Sequence, residues 1–228
     1  MAMLKIARLF SVAFATLLLV GGAQADDSFS PAEQMLFLSD HLSNVPKAMQ
    51  IRYAYSKTGT LDPVSDGAVN LSVTAMPQGP GRHTHVDFLS GARKFDLPDI
   101  DDATANPVIL FFLEREVREM HRLTGGSINY YRKRIRMALA EGAQVEAVTR
   151  DLGPRRVAAT EIRIAPYRND PARSRYEKFA EKTYVFTLSD DVPGKVVELR
   201  SELSTAGDAA GKGREIVISE TLRFARQR

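Results

Sequence analysis

Residues 106–139, NPVILFFLEREVREMHRLTGGSINYYRKRIRMAL, do most to limit what this chain can fold into, because they carry a helical period in a sequence that elsewhere alternates with a period of two. Asn106 can accept a hydrogen bond from an unpaired amide as an N-cap. Pro107 suits the first helical position, where its missing N–H would have no partner anyway. Gly125 and Gly126 can take the left-handed conformation that ends a helix, and Ser127 is placed to cap the next one. The spacing therefore predicts a helix, a glycine break and a second helix. Residues 108–113 are apolar on every side for more than a turn, so this end must be enclosed. Glu114, Arg115, Arg118, Glu119 and Arg122 make the later turns amphipathic and wet. Glu114 with Arg118, and Arg115 with Glu119, are i,i+4 surface pairs worth about 0.3–0.5 kcal/mol each.

The flanking segments predict strands. Ile51, Tyr53 and Tyr55 alternate with Arg52, Ala54 and Ser56, and Val69, Leu71 and Val73 with Asn70, Ser72 and Thr74. A third run, 82–89, returns after the turn at 77–81, and the polar stretch 91–105 is a loop leading to the helical pair. After Gly142 come strands at 145–149 and 155–166, then a charged loop or short helix at 167–178. Thr183 to Leu188 forms the next strand, with Tyr184 and Phe186 on one face. The turn Asp190-Asp191-Val192-Pro193-Gly194 leads into Val197, Leu199 and Leu203, and 206–213 is a small-residue loop. A last strand, 214–226, turns Ile216, Ile218, Leu222 and Phe224 inward. Short turns favour antiparallel neighbours. At the front, Ser30-Pro31-Ala32-Glu33 has the signature of a helix start. The expected class is α+β, mainly β: a curved antiparallel sheet or unclosed barrel of about eight strands, with an N-terminal helix and the inserted helical pair packed on the concave face.

Lys5 and Arg8 precede an apolar run at 9–20 and the small residues Gly22-Ala23-Gln24-Ala25, after which Asp26 and Asp27 follow. This is the pattern of a signal peptide cleaved after Ala25, and the apolar run is shorter than the ~20 residues that span a bilayer. Residues 26–228 are then one periplasmic antiparallel-sheet domain with the helical insert at 106–140, and no transmembrane segment remains after processing. Without Lys5 and Arg8 the chain has 29 basic against 28 acidic residues, so charge makes no case for nucleic acid. The lack of cysteine excludes disulfides, thiol catalysis and thiolate metal sites, and leaves the fold to packing alone.

The signal peptide, the lone N-terminal helix, the long amphipathic strands and the inserted helical pair together resemble the layout of periplasmic lipoprotein carriers of the LolA and LolB type and the LppX-like proteins. Those hold acyl chains in an unclosed barrel lidded by helices. The resemblance covers most of the mature chain, lies in layout alone and carries over no residue.

Three clusters are candidates for chemistry. His83, His85 and Asp87 share one strand face and echo a His-x-His-x-Asp metal motif; Phe88 stands where that motif continues with histidine, so the alternative is the solvent face of a strand, and no metal is expected. Glu220 shares parity with Ile218 and Leu222, which sends a carboxylate toward the dry side; it needs a partner, such as Arg52 or Arg163, or else orients a ligand. Arg132, Lys133 and Arg136 lie on the polar side of the second helix, whose stripe is Ile128, Tyr131, Ile135 and Leu139. Those cations form a solvated face or meet an envelope protein or anionic lipid. No phosphate loop or nucleophile elbow occurs, and no cofactor or catalytic residue is expected. The leading expectation is a non-enzymatic binding protein. Phe111, Phe112 and Leu113 line or plug an apolar cavity for a lipid-like molecule, Tyr53, Tyr55, Ile218 and Leu222 form its wall, and Glu220 stands at it. The alternatives are a protein-interaction module with a packed core and a basic helix face, and a hydrolase using Glu220 or the histidines.

Overall fold

The computed structural model describes residues 29–45, 48–76, 81–205 and 215–227. The leader expected at 1–25, most of the turn at 77–81 and the loop at 206–213 lie outside the described residues. Eight strands form one antiparallel sheet: β1 (Met49–Thr58), β2 (Ser65–Ala75), β3 (Arg82–Phe88), β4 (Gln144–Leu152), β5 (Arg155–Ile164), β6 (Thr183–Leu188), β7 (Val196–Ser204) and β8 (Ile216–Gln227). Their order is β3-β2-β1-β8-β7-β6-β5-β4. The last strand thus returns to the middle of the sheet, beside the first. The strands that flank the helical insert, β3 and β4, are the two edges, and they do not pair, so the sheet stays unclosed.

The insert bridges the two edges across the concave face. Helix α2 (Pro107–Thr124) begins at Asn106, whose side chain accepts from Val108 N at 3.1 Å, and stops at Gly125, which has a φ of 71°. Helix α3 (Ile128–Glu141) follows, with Tyr131, Ile135 and Leu139 buried. Ser127 does not cap it through its hydroxyl. Thr124 does the local work instead: its Oγ1 accepts from Gly126 N at 3.1 Å and lies 2.5 Å from the Tyr131 hydroxyl. The N-terminal segment has a capping box between Ser30 and Glu33 over helix α1 (Pro31–Glu33), which continues as a π-helical turn at Gln34–Leu38.

Register lays rows of residues across the concave face, because directly opposed residues in antiparallel strands share a face, and two neighbouring rows differ in chemistry. One row runs Tyr55, Leu222, Leu199, Phe186, Ile162, and is apolar and buried. Beside it runs Lys57, Glu220, Ser201, Tyr184, Ile164, which is polar at its centre. The apolar nose of α2 covers the apolar region: Phe111 stacks on Phe88 at 6.3 Å and Phe112 meets Phe186 edge-on at 6.5 Å. The segment expected as a charged loop or short helix contains a 3-10 helix at Arg173–Phe179 and docks under α3. Tyr131, Tyr167 and Tyr176 pack there edge-to-face, and Asp170 accepts from Tyr130 at 2.6 Å and also from Tyr176.

Candidate ligand groove

The N-terminus of α2 is locked from three directions. Asn106 Nδ2 donates to the Tyr53 hydroxyl at 2.9 Å and to Gly194 O at 2.8 Å, while its backbone N–H donates to His41 Nδ1 at 3.0 Å. That bond leaves His41 Nε2 carrying the proton, which it donates to Met35 O at 2.7 Å. Burial holds the His41 imidazole below its ordinary pKa, in keeping with this neutral tautomer. Gly194 is required at the contact: its φ is 71°, and a Cβ there would sit 2.8 Å from Asn106 Nδ2.

The later turns of α2 depart from the wet surface expected of them. Glu116 and Glu119 are buried and Arg115 is mostly so, because all three face the polar row of the sheet. Arg115 Nε donates to Glu220 Oε2 at 3.0 Å, and its Nη2 to the Tyr55 hydroxyl at 2.9 Å; that hydroxyl in turn donates to Glu220 Oε2 at 2.9 Å. Lys57 Nζ lies 3.2 Å from Glu220 Oε1 and 3.0 Å from Glu119. Glu220 is therefore answered by Arg115 and Lys57. Arg52 points to the other face and Arg163 holds Glu161 at 2.6 Å. The surface pair expected between Arg115 and Glu119 does not form, since each has a stronger buried partner; Glu114 and Arg118 do meet, at 3.3 Å. Deeper still, Lys182 donates to Glu116 at 2.6 Å with both side chains fully enclosed, and Ser201 donates to the other Glu116 oxygen at 2.8 Å. Burial raises the Glu116 carboxyl against the pull of Lys182. Burial would raise Glu119 too, but its bonds with Arg122 and Lys57 outweigh it and take the group down to about 2.

Phe111, Phe112, Tyr53, Tyr55, Ile218 and Leu222 are thus side chains of a filled layer, each at 2% exposure or less. Open apolar space lies on the outer side of α2. Leu110, within the stretch expected to be enclosed all round, is 46% exposed. It lines a groove of about 350 Å³ together with Phe29, Phe37, Leu113, Val117, Ile135 and Leu139, where the N-terminal segment, α2 and α3 meet. Ser30 fixes this arrangement by donating to Leu139 O at 2.9 Å. The groove's charged residues are Glu33, Glu114, Arg132 and Arg136. Glu33 is spent in the capping box, and Arg132 holds Glu114 at 2.5 Å. Among the described residues Arg136 and Lys133 form no ion pair, and both are exposed. Of the residues singled out from sequence, Leu113, Arg132 and Arg136 come together here. Leu110 and Phe29 were missed; exposure of one residue in an apolar run leaves no mark in the period.

The histidines of β3 lie on its solvent face, clasping the following loop. His83 Nδ1 is 2.7 Å from Asp101, and His85 lies 2.6 Å from Asp99 and 3.2 Å from Asp87. Among the described residues no three such side chains are arranged to hold a metal ion. No described helix is long and apolar enough to cross a membrane.

Fold and groove define an unclosed antiparallel sheet with a helical pair across its concave face and an apolar trough on the helices' outer side. No family model and no curated protein matches this chain. Among solved structures it is similar to the lipoprotein LppX of Mycobacterium tuberculosis, with 12% identity, 78% of this chain and 85% of that chain covered, and a TM-score of 0.31.

Proposed function

We propose that this is an exported, non-enzymatic binding protein for a hydrophobic, lipid-like ligand, with residues 1–25 removed as a signal peptide and the mature chain working in the periplasm. The ligand's apolar chain lies in the groove against Leu110, Leu113 and Phe29, and an anionic head meets Arg136. The observation that carries this reading is the exposed apolar floor at Leu110 and Phe29, the latter 55% exposed, beside a cation without a partner among the described residues. The groove's size falls at the low end of small-molecule sites, about 300–1,000 Å³. Each methylene that leaves water there contributes about 0.8 kcal/mol. The filled layer of Phe111, Phe112, Tyr53, Tyr55, Ile218 and Leu222, with Glu220 at its polar margin, serves as the rigid backing of α2.

The test is titration of the purified chain with a fluorescent long-chain fatty acid. Saturable binding is expected, and Leu110→Glu should weaken it at least about tenfold, since it sets a carboxylate against the ligand's apolar chain, where an unpaired charge is costly. Leu38→Glu, at a position 53% exposed that does not line the groove, should leave it unchanged. Absence of saturable binding, or equal loss in both variants, would sink the reading. Exposed Lys133 and Arg136 favour a second reading, docking of an envelope protein; a partner lost on reversing their charge, with no fatty acid uptake, would favour it instead.

A further inference from the structure

The geometry points to the free edge of β4 as a self-complementary strand that pairs with β4 of a second copy of this chain, joining two sheets about a two-fold axis at Val148. An open sheet has two edges, and here they are treated differently. Along β3 the loop at 95–103 forms a strap: Thr84 N donates to Ile100 O at 2.9 Å, Ile100 N to Thr84 O at 3.1 Å, Phe95 N to Phe88 O at 3.0 Å and Ala103 N to Arg82 O at 3.1 Å. That edge is covered. Along β4 nothing comparable is present among the described residues. Among the described residues its backbone bonds only to β5, apart from the Thr149 carbonyl, which accepts from Arg150 at 3.3 Å. Gln144, Val145, Glu146, Ala147 and Thr149 are exposed.

Sheet edges that must stay single are blunted with proline, with charged side chains, lysine above all, or with bulges. β4 contains no proline or lysine, and its nine-residue ladder with β5 runs without a register shift. The charges it does carry are arranged for pairing. When β4 meets a copy of itself antiparallel, one register alone sets Glu146 opposite Arg150, and that register sets Val148 opposite itself, Ala147 opposite Thr149 and Gln144 opposite Leu152. By symmetry the Glu146–Arg150 contact occurs twice, on one face, flanking the Val148 pair. Sliding the copy by two residues sets Glu146 against Val148 or Leu152 and loses both ion pairs. Within the chain Arg150 bonds Glu161, but Arg163 holds that carboxylate as well, so Arg150 can turn to the new partner without stranding it.

Sedimentation equilibrium of the purified chain over a concentration series should show reversible dimers. Glu146→Arg and Arg150→Glu should each return it to monomer, and the double variant, which restores opposite charges across the axis, should dimerise again. Because the chain has no cysteine, Val148→Cys introduces a lone thiol that a short bis-maleimide should link to itself, while Ser174→Cys, on an exposed residue outside the sheet, should not link. Far-ultraviolet circular dichroism identifies any variant that fails to fold, and the crosslink reads the contact without disturbing either charge. A chain that stays monomeric throughout, a dimer indifferent to both charge reversals, or a β4 edge that captures only a strand of another protein would each overturn the proposal.

Discussion

Glu116 and Lys182 meet at 2.6 Å with no exposure of either side chain, and Ser201 completes the carboxylate's bonding. Removing one member strands a buried charge, so Lys182→Met is expected to cost about 3–5 kcal/mol in chemical denaturation. Glu116→Leu together with Lys182→Met should regain most of that, because two apolar side chains of similar size carry no desolvation penalty. A double variant no more stable than the single would show that the ion pair itself is a net stabiliser. Glu220 illustrates how far a residue-scale reading of sequence reaches. Parity in β8 sends it inward, and the cost of an unpaired charge demands a partner. Its partners come from α2 and β1, and Arg115 lies 105 positions away, a separation that alternation within one strand cannot bridge.

At the scale of elements, the strap along β3 is held by two backbone bridges and by the His83–Asp101 and His85–Asp99 contacts. The Asp101 bond raises the pKa of His83, the Asp99 bond raises that of His85, and Asp99 is lowered chiefly by His85. A histidine raised on folding adds stability that is complete below its unfolded value of 6.5 and disappears as pH climbs through the folded value; the lowered aspartate adds stability that disappears as pH falls below its unfolded value of 3.8. The strap should therefore be tightest between these two limits and loosen on the alkaline side. Hydrogen exchange at the amides of Ile100 and Phe95, corrected for intrinsic rate, should quicken above that window. In His85→Ala the change with pH should shrink; unchanged behaviour would show that the histidine clasp does not hold the strap. Sequence placed these histidines on a strand face beside Asp87 and placed Asp99 and Asp101 in the next loop. That the loop doubles back along the same strand is a matter of chain path, which local period does not encode.

For the whole molecule, β8 is the piece on which the sheet depends, since among the described residues it is the strand that joins the β1–β3 meander to the β4–β7 meander within the sheet. A chain ending at Thr205 leaves Tyr55 and Leu199 without Leu222 between them and exposes a new edge on each half. It should lose its cooperative unfolding transition altogether; a retained sharp transition would mean that one half folds independently. Strand count, the antiparallel class, the capped start of α2 and the burial of Phe111 and Phe112 were legible in the chain, because each follows from a local period or a local capping group. Tertiary structure alone decided the rest. It set the polar half of α2 against a polar row of the sheet, left Leu110 bare in a groove between helices, and put β4 at an edge of the sheet. All three depend on which distant segments come to lie side by side, and amphipathic period records how a residue faces its own element but not which neighbour that face will meet.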